Sequence, residues 1–544
     1  MSPNPLLARL AVLVVALLAG CGGGGGGADA GTVQPPSSGP SLPAVDVSAV
    51  AAADPGSALP ARWHQGAFMQ IFVRSYKDSD GDGIGDLRGL TGQLDYLRDL
   101  GVTGLWLMPV TASQDRDHGY AVKDYRAVEP AYGSLADFDE LLRQAHARGI
   151  GVIVDYVMNH SAAENPLFVN ARAASSNPYR DWYLWAGLKP GGWSIYGGDP
   201  WRGSPGNFYF APFWDQMPDW NLTLPRVVAY HHDNLRFWLN RGVDGFRFDA
   251  VGNLVENGAG AWENQPQNYA LLRDVRGLVA GYTQRFMVCE GPSDPFGYAQ
   301  ACGSAFAFNH TRNLFAAARG DPMAVRAVAD FPLTAPAGMA TMLANHDSFA
   351  GDRVFNQFGG NLAPYRLAAA TYLLQPGTPF VYYGEEIGMA RGTAPGDPGL
   401  RTPMSWTGNT GTAGFTSGVP YRSLATNVGQ YNVAAQQGDP NSLLAFYKAL
   451  IGLRKARASL AAGSYDNVAA AGALLAFERR LAGERTLVVI NYAGTPADAA
   501  LANLGAGAVA DSLYPAAAAG FTADAGGGFT LAMPAQSVRV FALR

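Results

Sequence analysis

Short apolar runs alternate with amphipathic segments along most of the chain. Apolar runs of strand length occupy residues 68–73, 104–108 and 151–157. Between the first two runs, apolar residues recur at helical spacing, at Leu90, Leu94, Leu97 and Leu100. The run 151–157 is almost continuously apolar, which is typical of a parallel strand that is buried on both faces. The pattern therefore predicts strand–helix units.

The repetition of this unit predicts the fold class. A helix over residues 227–240 and a strand over residues 243–248 repeat it further along the chain. Ser134, followed three residues later by Asp137, resembles the capping box that begins a helix. Repeated βα units favour a parallel sheet, either closed as a barrel or doubly wound.

Two regions break this rhythm. Residues 159–230 are rich in Gly, Pro and Asn and hold six of the 11 tryptophans, with no clear helical period. So long an irregular stretch predicts a small domain inserted after the third strand. Beyond residue 459 the helical pattern ends and strand-like runs follow, separated by Gly/Ala/Pro-rich turns, so residues 459–544 are predicted to form a C-terminal β-sandwich.

The N-terminus has the pattern of an export signal. Arg9 precedes an apolar stretch that is too short to span a bilayer as a mature helix, and residues 1–20 are predicted to be the signal peptide. The stretch ends in Leu18-Ala19-Gly20-Cys21, which looks like a bacterial lipoprotein signal. We therefore expect an exported protein, anchored by a lipid on Cys21 to a bacterial membrane and facing the periplasm or the exterior. Residues 21–60 would be a flexible Gly/Ser/Pro-rich tether. The alternative is an ordinary signal peptide with a chance cysteine.

Composition argues against nucleic acid as a partner and leaves open whether two cysteines form a disulfide. Hydrophobic residues make up 48% and charged residues 15%, so the chain can bury a large core. The formal net charge is only −5 and no basic run occurs, which argues against nucleic acid as a partner. Cys289 and Cys302 either form a disulfide or remain buried thiols, because spacing does not determine geometry.

Ionisable side chains occur where apolar runs end. The segments are Asp155-Tyr-Val-Met-Asn159-His160, Gly245-Phe-Arg247-Phe-Asp249-Ala250, Val288-Cys-Glu290-Gly291 and Asn345-His346-Asp347. In a (β/α)8 barrel the carboxyl ends of the strands line the active site. A carboxylate that only caps the next helix would explain one of these segments, but four in the same relative place indicate a catalytic site.

These segments resemble the ordered motifs of the α-amylase family of glycoside hydrolases. Further matches are Asp117-His-Gly-Tyr120, Met217-Pro-Asp219-Trp-Asn221 and Arg401-Thr-Pro-Met-Ser-Trp406. The resemblance extends from about residue 66 to the C-terminus. It implies an α/β fold, a (β/α)8 TIM barrel over residues 61–158 and 231–458, interrupted by the inserted domain.

The resemblance also assigns catalytic roles. Asp249 looks like the nucleophile, Glu290 like the general acid/base, and Asp347 like a third carboxylate that holds sugar hydroxyls and helps to keep Glu290 protonated. A retaining glycosidase needs such a division, with one ionised carboxylate to form a glycosyl-enzyme and one protonated acid for the leaving oxygen. Adjacent negative charge raises the pKa of the acid.

Substrate contacts are implied in the same way. The predicted substrate-binding residues are Asp117, Tyr120, His160, Arg247, His346 and Arg401. The two histidines resemble the pair that hydrogen-bonds the sugar, and Tyr120 is expected to stack under its ring. Arg247, two residues before Asp249 on one strand, points the same way and can hold that carboxylate ionised. Asp155 lies earlier in its segment, so we predict a supporting role for it.

An acidic loop suggests a calcium site. Residues 78–86 carry oxygen ligands at alternate positions with a glycine at the sixth, which matches the first half of a calcium loop. Because Gly89 stands where an EF-hand has its bidentate glutamate, the loop instead resembles the Ca²⁺ loop of a branch of the same family. The implied ligands are Asp78, Asp80, Asp82, Asp86 and the carbonyl of Ile84. The alternative is a solvated acidic turn.

The expected activity is retaining hydrolysis of α-1,4-glucosidic bonds in starch, maltodextrins or related α-glucans by a monomer, through a covalent glycosyl-enzyme. Ala250 after the nucleophile favours α-1,4 over α-1,6 bonds by resemblance. The segment from Ala250 to Asn253 lacks the Lys-His pair that many α-amylases carry. The alternatives are an α-glucosidase or 4-α-glucanotransferase and, more distantly, a glucan-binding protein without catalysis.

Overall fold

The computed structural model describes residues 41–544. The predicted signal peptide, Cys21 and the first part of the predicted tether lie outside the described residues. Among the described helices, none combines the length and the apolar character that crossing a bilayer requires.

Eight parallel strands close into a barrel. The strands up to residue 382 are β1 (Phe68–Ile71), β2 (Gly104–Leu107), β3 (Thr111–Ser113), β4 (Val122–Val128), β5 (Gly151–Tyr156), β6 (Trp185–Ala186), β7 (Trp201–Ser204), β8 (Asn207–Phe210), β9 (Gly245–Phe248), β10 (Phe286–Cys289), β11 (Ala305–Phe306), β12 (Met339–Thr341) and β13 (Thr378–Tyr382). The barrel order is β1-β2-β5-β9-β10-β11-β12-β13, and β13 pairs with β1. The predicted TIM barrel is confirmed.

Helices surround the barrel. They are α1 (Val73–Tyr76), α2 (Leu87–Gly92), α3 (Leu94–Leu100), α4 (Leu135–Ala147), α5 (Pro166–Ala173), α6 (Pro225–Asn240), α7 (Pro266–Ala280), α8 (Pro295–Cys302), α9 (Phe308–Ala318), α10 (Pro322–Thr334), α11 (Val354–Gln357), α12 (Leu362–Leu374), α13 (Val433–Gln436), α14 (Leu443–Ala456) and α15 (Ala458–Ala462). Ser134 and Asp137 form both hydrogen bonds of the predicted capping box at the start of α4. The leucine-bearing segment is two helices rather than one, because the backbone at Gln93 leaves helical geometry.

The segment between β5 and α6 holds a small antiparallel sheet. Strands β6, β8 and β7 pair in that order, and Phe168 of α5 stacks on Trp185. Trp182 and Trp220 are buried, whereas Trp214 is 39% exposed. Trp182 and Trp220 therefore fill a local core, as large side chains do in so small a unit, and the other four tryptophans are at least partly exposed.

The chain ends in two antiparallel sheets. The strands are β14 (Ser464–Ala471), β15 (Leu474–Leu481), β16 (Glu484–Asn491), β17 (Ala497–Leu501), β18 (Val509–Tyr514), β19 (Phe521–Thr522), β20 (Phe529–Met533) and β21 (Ser537–Leu543). Six of them form one sheet, and β17 pairs with β20 in the other. Alternate residues of both sheets, among them Leu487, Leu501 and Leu531, share one apolar core. This is the predicted C-terminal sandwich.

Residues 43–60 differ from the predicted flexible tether and form a strap along the outside of the barrel. Side chains of the barrel domain bind its backbone, and Asp54 accepts hydrogen bonds from Thr283 in the loop before β10. The hydrogen bonds are Val50 N to Asp233 (2.9 Å), Ala53 N to Asn240 (2.9 Å), Asn240 to Ala51 O (2.9 Å), Thr283 Oγ1 to Asp54 (2.6 Å) and Arg285 to Gly56 O (2.9 Å). The Gly/Ser/Pro content of residues 21–60 suggests a tether, and it does not reveal these hydrogen-bond partners because they lie far away in sequence.

Candidate active site

Two neighbouring strands place the predicted nucleophile and acid side by side. Phe248 at the end of β9 pairs with Cys289 at the end of β10. Asp249 and Glu290 are the next residues, so both carboxylates leave the barrel at the same level. Gly245 at the start of β9 permits this close pairing, because a Cβ there would lie 1.7 Å from the carbonyl oxygen of Phe286.

Arg247 connects the acids. Its side chain is fully buried; Nη1 lies 2.6 Å from Oδ1 of Asp249 and 2.8 Å from Oδ1 of Asp155, while Nη2 lies 2.7 Å from Oε1 of Glu290. A guanidinium is always charged and forms strong hydrogen bonds with carboxylates. Binding both predicted catalytic carboxylates to one guanidinium keeps them close together, as a retaining mechanism would require. Asp155 takes the supporting position expected of it.

Burial sets the protonation of the pair. It raises the pKa of Glu290 to about 7, because burial and the negative charge of Asp249 outweigh the opposing effect of Arg247. Burial also raises the pKa of Asp249, to about 6, while Arg247 favours its ionised form. Glu290 is thus the more easily protonated of the two, which suits a general acid beside an ionised nucleophile.

Asp347 lies in an ion-pair cluster. Nη2 of Arg401 is 2.9 Å from Oδ1 of Asp347 and 3.2 Å from Oδ2 of Asp397, and Nε2 of His346 is 3.0 Å from Oδ2 of Asp347. Burial raises the pKa of Asp347 to about 6, and Arg401 opposes this. Asp347 is therefore oriented by neighbours on two sides, with its carboxylate at the cavity.

Asp117 is bound by two arginines. Nη2 of Arg422 lies 2.7 Å from Oδ1, and Nη1 of Arg401 lies 3.5 Å from Oδ2. The motif that contains Arg401 was recognisable in the sequence. Arg422 was missed, because it belongs to no motif and meets Asp117 across 305 positions of sequence.

The predicted sugar-binding histidines are both buried and neutral. Burial lowers the pKa of His160 to about 3, and its Nε2 has no hydrogen-bond partner within residues 41–544. Burial and the positive charge of Arg401 lower the pKa of His346, whose Nε2 is 2.7 Å from the hydroxyl of Tyr120. Tyr120 also donates a hydrogen bond to Asp155 (2.8 Å), so this ring is fixed before substrate arrives. The open Nε2 of His160 is available to a ligand hydroxyl.

Two adjoining cavities meet at Glu290. The first, which we name the donor cavity, has a volume of about 270 Å³ and is lined by all three predicted catalytic acids together with His160, Tyr120 and Arg401. The acceptor cavity, of about 390 Å³, is lined largely by apolar side chains. Both cavities share Phe213, Ala250, Glu290 and Phe349. Of the predicted site residues, Arg247, His346 and Asp117 do not line the donor cavity but contact Asp249, Asp347 and Arg401, which do.

A disulfide lies directly beside the acid. Cys289 at the end of β10 is bonded to Cys302 at the end of α8, with 6.3 Å between their Cα atoms. The question that the spacing left open is thus decided in favour of the disulfide. Because Glu290 follows Cys289, the disulfide fixes the backbone from which the acid extends.

The acidic loop brings three carboxylates together. Oxygen atoms of Asp78, Asp80 and Asp86 lie within 4.8 Å of one another, an all-oxygen donor set that fits a hard cation such as Ca²⁺. Asp82 lies outside this group of three. Its Oδ1 instead accepts a hydrogen bond from the backbone N–H of Ile84 (2.7 Å), the Asx-turn contact common for aspartate in tight loops.

A closed (β/α)8 barrel whose strand ends present two carboxylates bound by one buried arginine fits a glycoside hydrolase. The family model described as "Alpha amylase, catalytic domain" matches residues 70–463 of this chain. The chain is 33% identical to Alpha-amylase 3 of Dictyoglomus thermophilum, covering 79% of this chain and 85% of that protein, and 30% identical to an oligo-1,6-glucosidase of Parageobacillus thermoglucosidasius, covering 79% and 90%. The crystal structure of the trehalulose synthase MutB from Pseudomonas mesoacidophila MX-45 has a TM-score of 0.75 at 28% identity, covering 89% of this chain and 99% of that one. This protein belongs to the alpha-amylase family.

Proposed function

We propose that this enzyme removes single glucosyl units from the non-reducing ends of short α-1,4-glucosides, as an α-glucosidase or transglucosidase does. This replaces internal cleavage of starch as the main expectation. The observation that carries the proposal is the double ion pair of Asp117 with Arg401 and Arg422. It lies on the side of the donor cavity that the acceptor cavity does not share.

The size of the donor cavity supports exo action. Ligand pockets usually measure about 300–1,000 Å³, and the donor cavity, at about 270 Å³, is below that range. An enzyme that cuts inside a chain needs an open cleft on both sides of the cleaved bond. Here the partly buried ion pairs of Asp117 with Arg401 and Arg422 occupy one side, and opening them would separate charges that are now paired. One sugar ring is the occupant that suits this space.

The relatives support the same reading. One of those compared is named an alpha-amylase, whereas another is named an oligo-1,6-glucosidase and a third a trehalulose synthase, and the last two names indicate glucosidase or transferase activity. We retain the α-1,4 linkage from Ala250, which lines both cavities beside Glu290. A non-catalytic role is disfavoured because all three acids line one cavity.

Glucosyl transfer is the second candidate function, and the lining of the acceptor cavity favours it. Hydrolase and transferase share the glucosyl-enzyme and differ only in the acceptor that attacks it. The aromatic and apolar lining next to Glu290 holds a ring-shaped acceptor more readily than it orders water.

Maltoheptaose, free and blocked at its non-reducing end, tests exo action. The free sugar should release glucose as the first product, in the α configuration by NMR. The blocked sugar should remain intact, and Asp249→Asn provides the inactive control. Cleavage of the blocked sugar would overturn the proposal. Products longer than maltoheptaose at high substrate concentration would identify transfer.

We also propose that Asp78, Asp80 and Asp86 hold a calcium ion, with the carbonyl of Ile84 as a further ligand. Burial opposes ionisation of Asp78, but hydrogen bonds from Thr416 and from backbone N–H groups lower its pKa. Ionised, preoriented oxygens are what Ca²⁺ selects. The ion would hold the loop before α2 and contribute stability.

A further inference from the structure

The acceptor cavity lies on the leaving-group side of the acid. It shares Glu290 with the donor cavity but is not lined by Asp249 or Asp347. Its remaining walls include Tyr196 from the inserted domain, Asn253 and Glu263 from the segment after β9, and the shared Phe349. A group that leaves with the proton of Glu290 would therefore lie here.

Tyr196 is held in an unfavourable backbone conformation. Its φ is 50°, in the left-handed region that bulky side chains rarely adopt, and it is 63% exposed. A tight turn imposes this conformation, because Ile195 and Gly198 exchange two backbone hydrogen bonds of 2.8 Å. Strained residues of this kind persist where the surroundings fix them, and they cluster at functional sites.

The ring of Tyr196 is nevertheless fixed. Its hydroxyl donates a hydrogen bond to Oδ1 of Asn253 (3.1 Å), which joins the inserted domain to the loop after β9. The edge of Trp262 packs against the ring at 5.4 Å between centroids, and Phe213 lies at 5.8 Å. An exposed aromatic ring with a hydrogen-bonded hydroxyl is preorganised for a ligand, because little side-chain freedom is lost on binding.

Phe349 supplies a second exposed ring to the same cavity. It is 60% exposed and packs on Phe308 at 5.4 Å. Polar groups are few in comparison. Glu263 accepts a hydrogen bond from Ser293 (2.8 Å) and keeps acceptor capacity for hydroxyl groups of a ligand.

We propose that Tyr196 and Phe349 form an aromatic platform for the leaving group and for the acceptor, and that this platform selects one sugar ring. The inference rests on the proposed function, which assigns the donor cavity to the glucosyl unit. A pyranose ring has apolar faces for the two aromatic rings and hydroxyls at its rim for Glu263. Tyr196 is then a specificity-determining residue of the inserted domain.

Two glucosyl donors distinguish binding in the acceptor cavity from formation of the glucosyl-enzyme. With maltose, the C1–O bond breaks, Asp249 bonds to C1, and the proton of Glu290 goes to the leaving glucose. With α-D-glucosyl fluoride, the same bond to Asp249 forms and fluoride leaves, with no ring in the acceptor cavity. The ratio of kcat/KM for maltose to kcat/KM for the fluoride therefore measures the contribution of the platform.

Tyr196→Ala should lower this ratio about tenfold, as loss of one well-packed aromatic anchor commonly does. Tyr196→Phe, which keeps the ring, should lower it much less. Phe349→Ala, on a separate loop, should also lower the ratio and keeps the test valid if Tyr196→Ala does not fold; because Phe349 lines both cavities, kcat/KM for the fluoride should fall as well, but less than that for maltose. Trp214→Ala is the matched control, since this exposed aromatic residue of the inserted domain lines neither cavity.

The outcomes separate the two proposals. A wild-type enzyme that hydrolyses neither donor would overturn the proposed function. An active wild type in which Tyr196→Ala and Phe349→Ala lower both donors equally would overturn the platform. A lower maltose-to-fluoride ratio in both variants, and not in Trp214→Ala, supports it.

Discussion

Arg247 donates a hydrogen bond of 2.6 Å to Oδ1 of Asp249, only two residues further along the chain. The same guanidinium binds Glu290 through its other terminal nitrogen. The charge that keeps the nucleophile ionised therefore also lies against the acid, and burial must offset its effect before Glu290 can keep a proton. This opposition determines how the site responds to mutation and to pH.

Removing the acid should separate the two steps of the reaction, whereas removing the nucleophile should block both. We expect Asp249→Asn and Glu290→Gln each to lose several orders of magnitude in kcat on maltose while remaining folded. On α-D-glucosyl fluoride, Glu290→Gln should form a glucosyl adduct that persists, because fluoride needs no acid but water needs a base. Mass spectrometry detects the adduct. Near-normal turnover of maltose by either variant would contradict the assignment.

The pH profile should be bell-shaped around weakly acidic pH. Asp249 must be ionised and its pKa is raised to about 6, so kcat/KM should fall as pH drops below that value. Glu290 must be protonated and its pKa is raised to about 7, so kcat/KM should fall as pH rises above that value. Asp347→Asn removes a nearby negative charge, which should move the alkaline limb to lower pH. An unchanged limb in this variant would exclude Asp347 as a source of the raised pKa.

Calcium removal should weaken the fold without changing the chemistry. A ligand at 100 times its Kd contributes about 2.7 kcal/mol to the free energy of unfolding. Chelation should therefore lower the melting temperature, and added calcium should restore it. Asp80→Ala should reproduce the loss even with calcium present, whereas Asp82→Ala, outside the carboxylate group, should have a smaller effect. Equal melting temperatures with and without chelator, and no metal by elemental analysis, would return the loop to an acidic turn.

Shortening the N-terminal region should show where the folded enzyme begins. A chain that starts at residue 43 retains the strap and should melt like the longer protein. A chain that starts at residue 61 lacks every hydrogen bond between the strap and α6, and should melt several degrees lower. Asp54→Ala, which removes the acceptor for Thr283, should have an intermediate effect. If the chain starting at residue 61 is as stable as the others, the strap does not contribute to stability.

Lipidation of Cys21 is tested in the native type of host. The full-length protein should fractionate with membranes and carry the mass of the lipid. Cys21→Ser should move it to the soluble fraction. A soluble protein with unmodified mass before the substitution would reject the anchor.

The sequence was sufficient to predict the barrel and its acids. Asp249 and Glu290 each follow an apolar strand, and strand ends converge by the geometry of the fold, so position along the chain already implied proximity. The same logic located His160 and Asp347. The capping box of Ser134 could be predicted because it depends on neighbours only three residues apart.

Other features depend on contacts that no local pattern contains. Arg422 meets Asp117 from a loop on the far side of the sequence. Tyr196 lies in a strained turn of an irregular segment, and the composition of that segment predicts an inserted domain without indicating this residue. The strap at residues 43–60 had the composition of a tether, but its N–H groups find acceptors on α6. In each case the two residues in contact lie far apart in sequence, and only the folded chain brings them together.

Because Cys289 and Cys302 form a disulfide, the covalent state of a preparation depends on the compartment in which the chain was made. A host that makes the chain in a reducing compartment yields two thiols at this place. The backbone of Glu290 is then held by its hydrogen bond to the carbonyl of Phe248 and no longer by a covalent link through its neighbour. Batches from reducing and oxidising hosts are thus different covalent species of one sequence, and a count of free thiols belongs beside every rate constant measured on this enzyme.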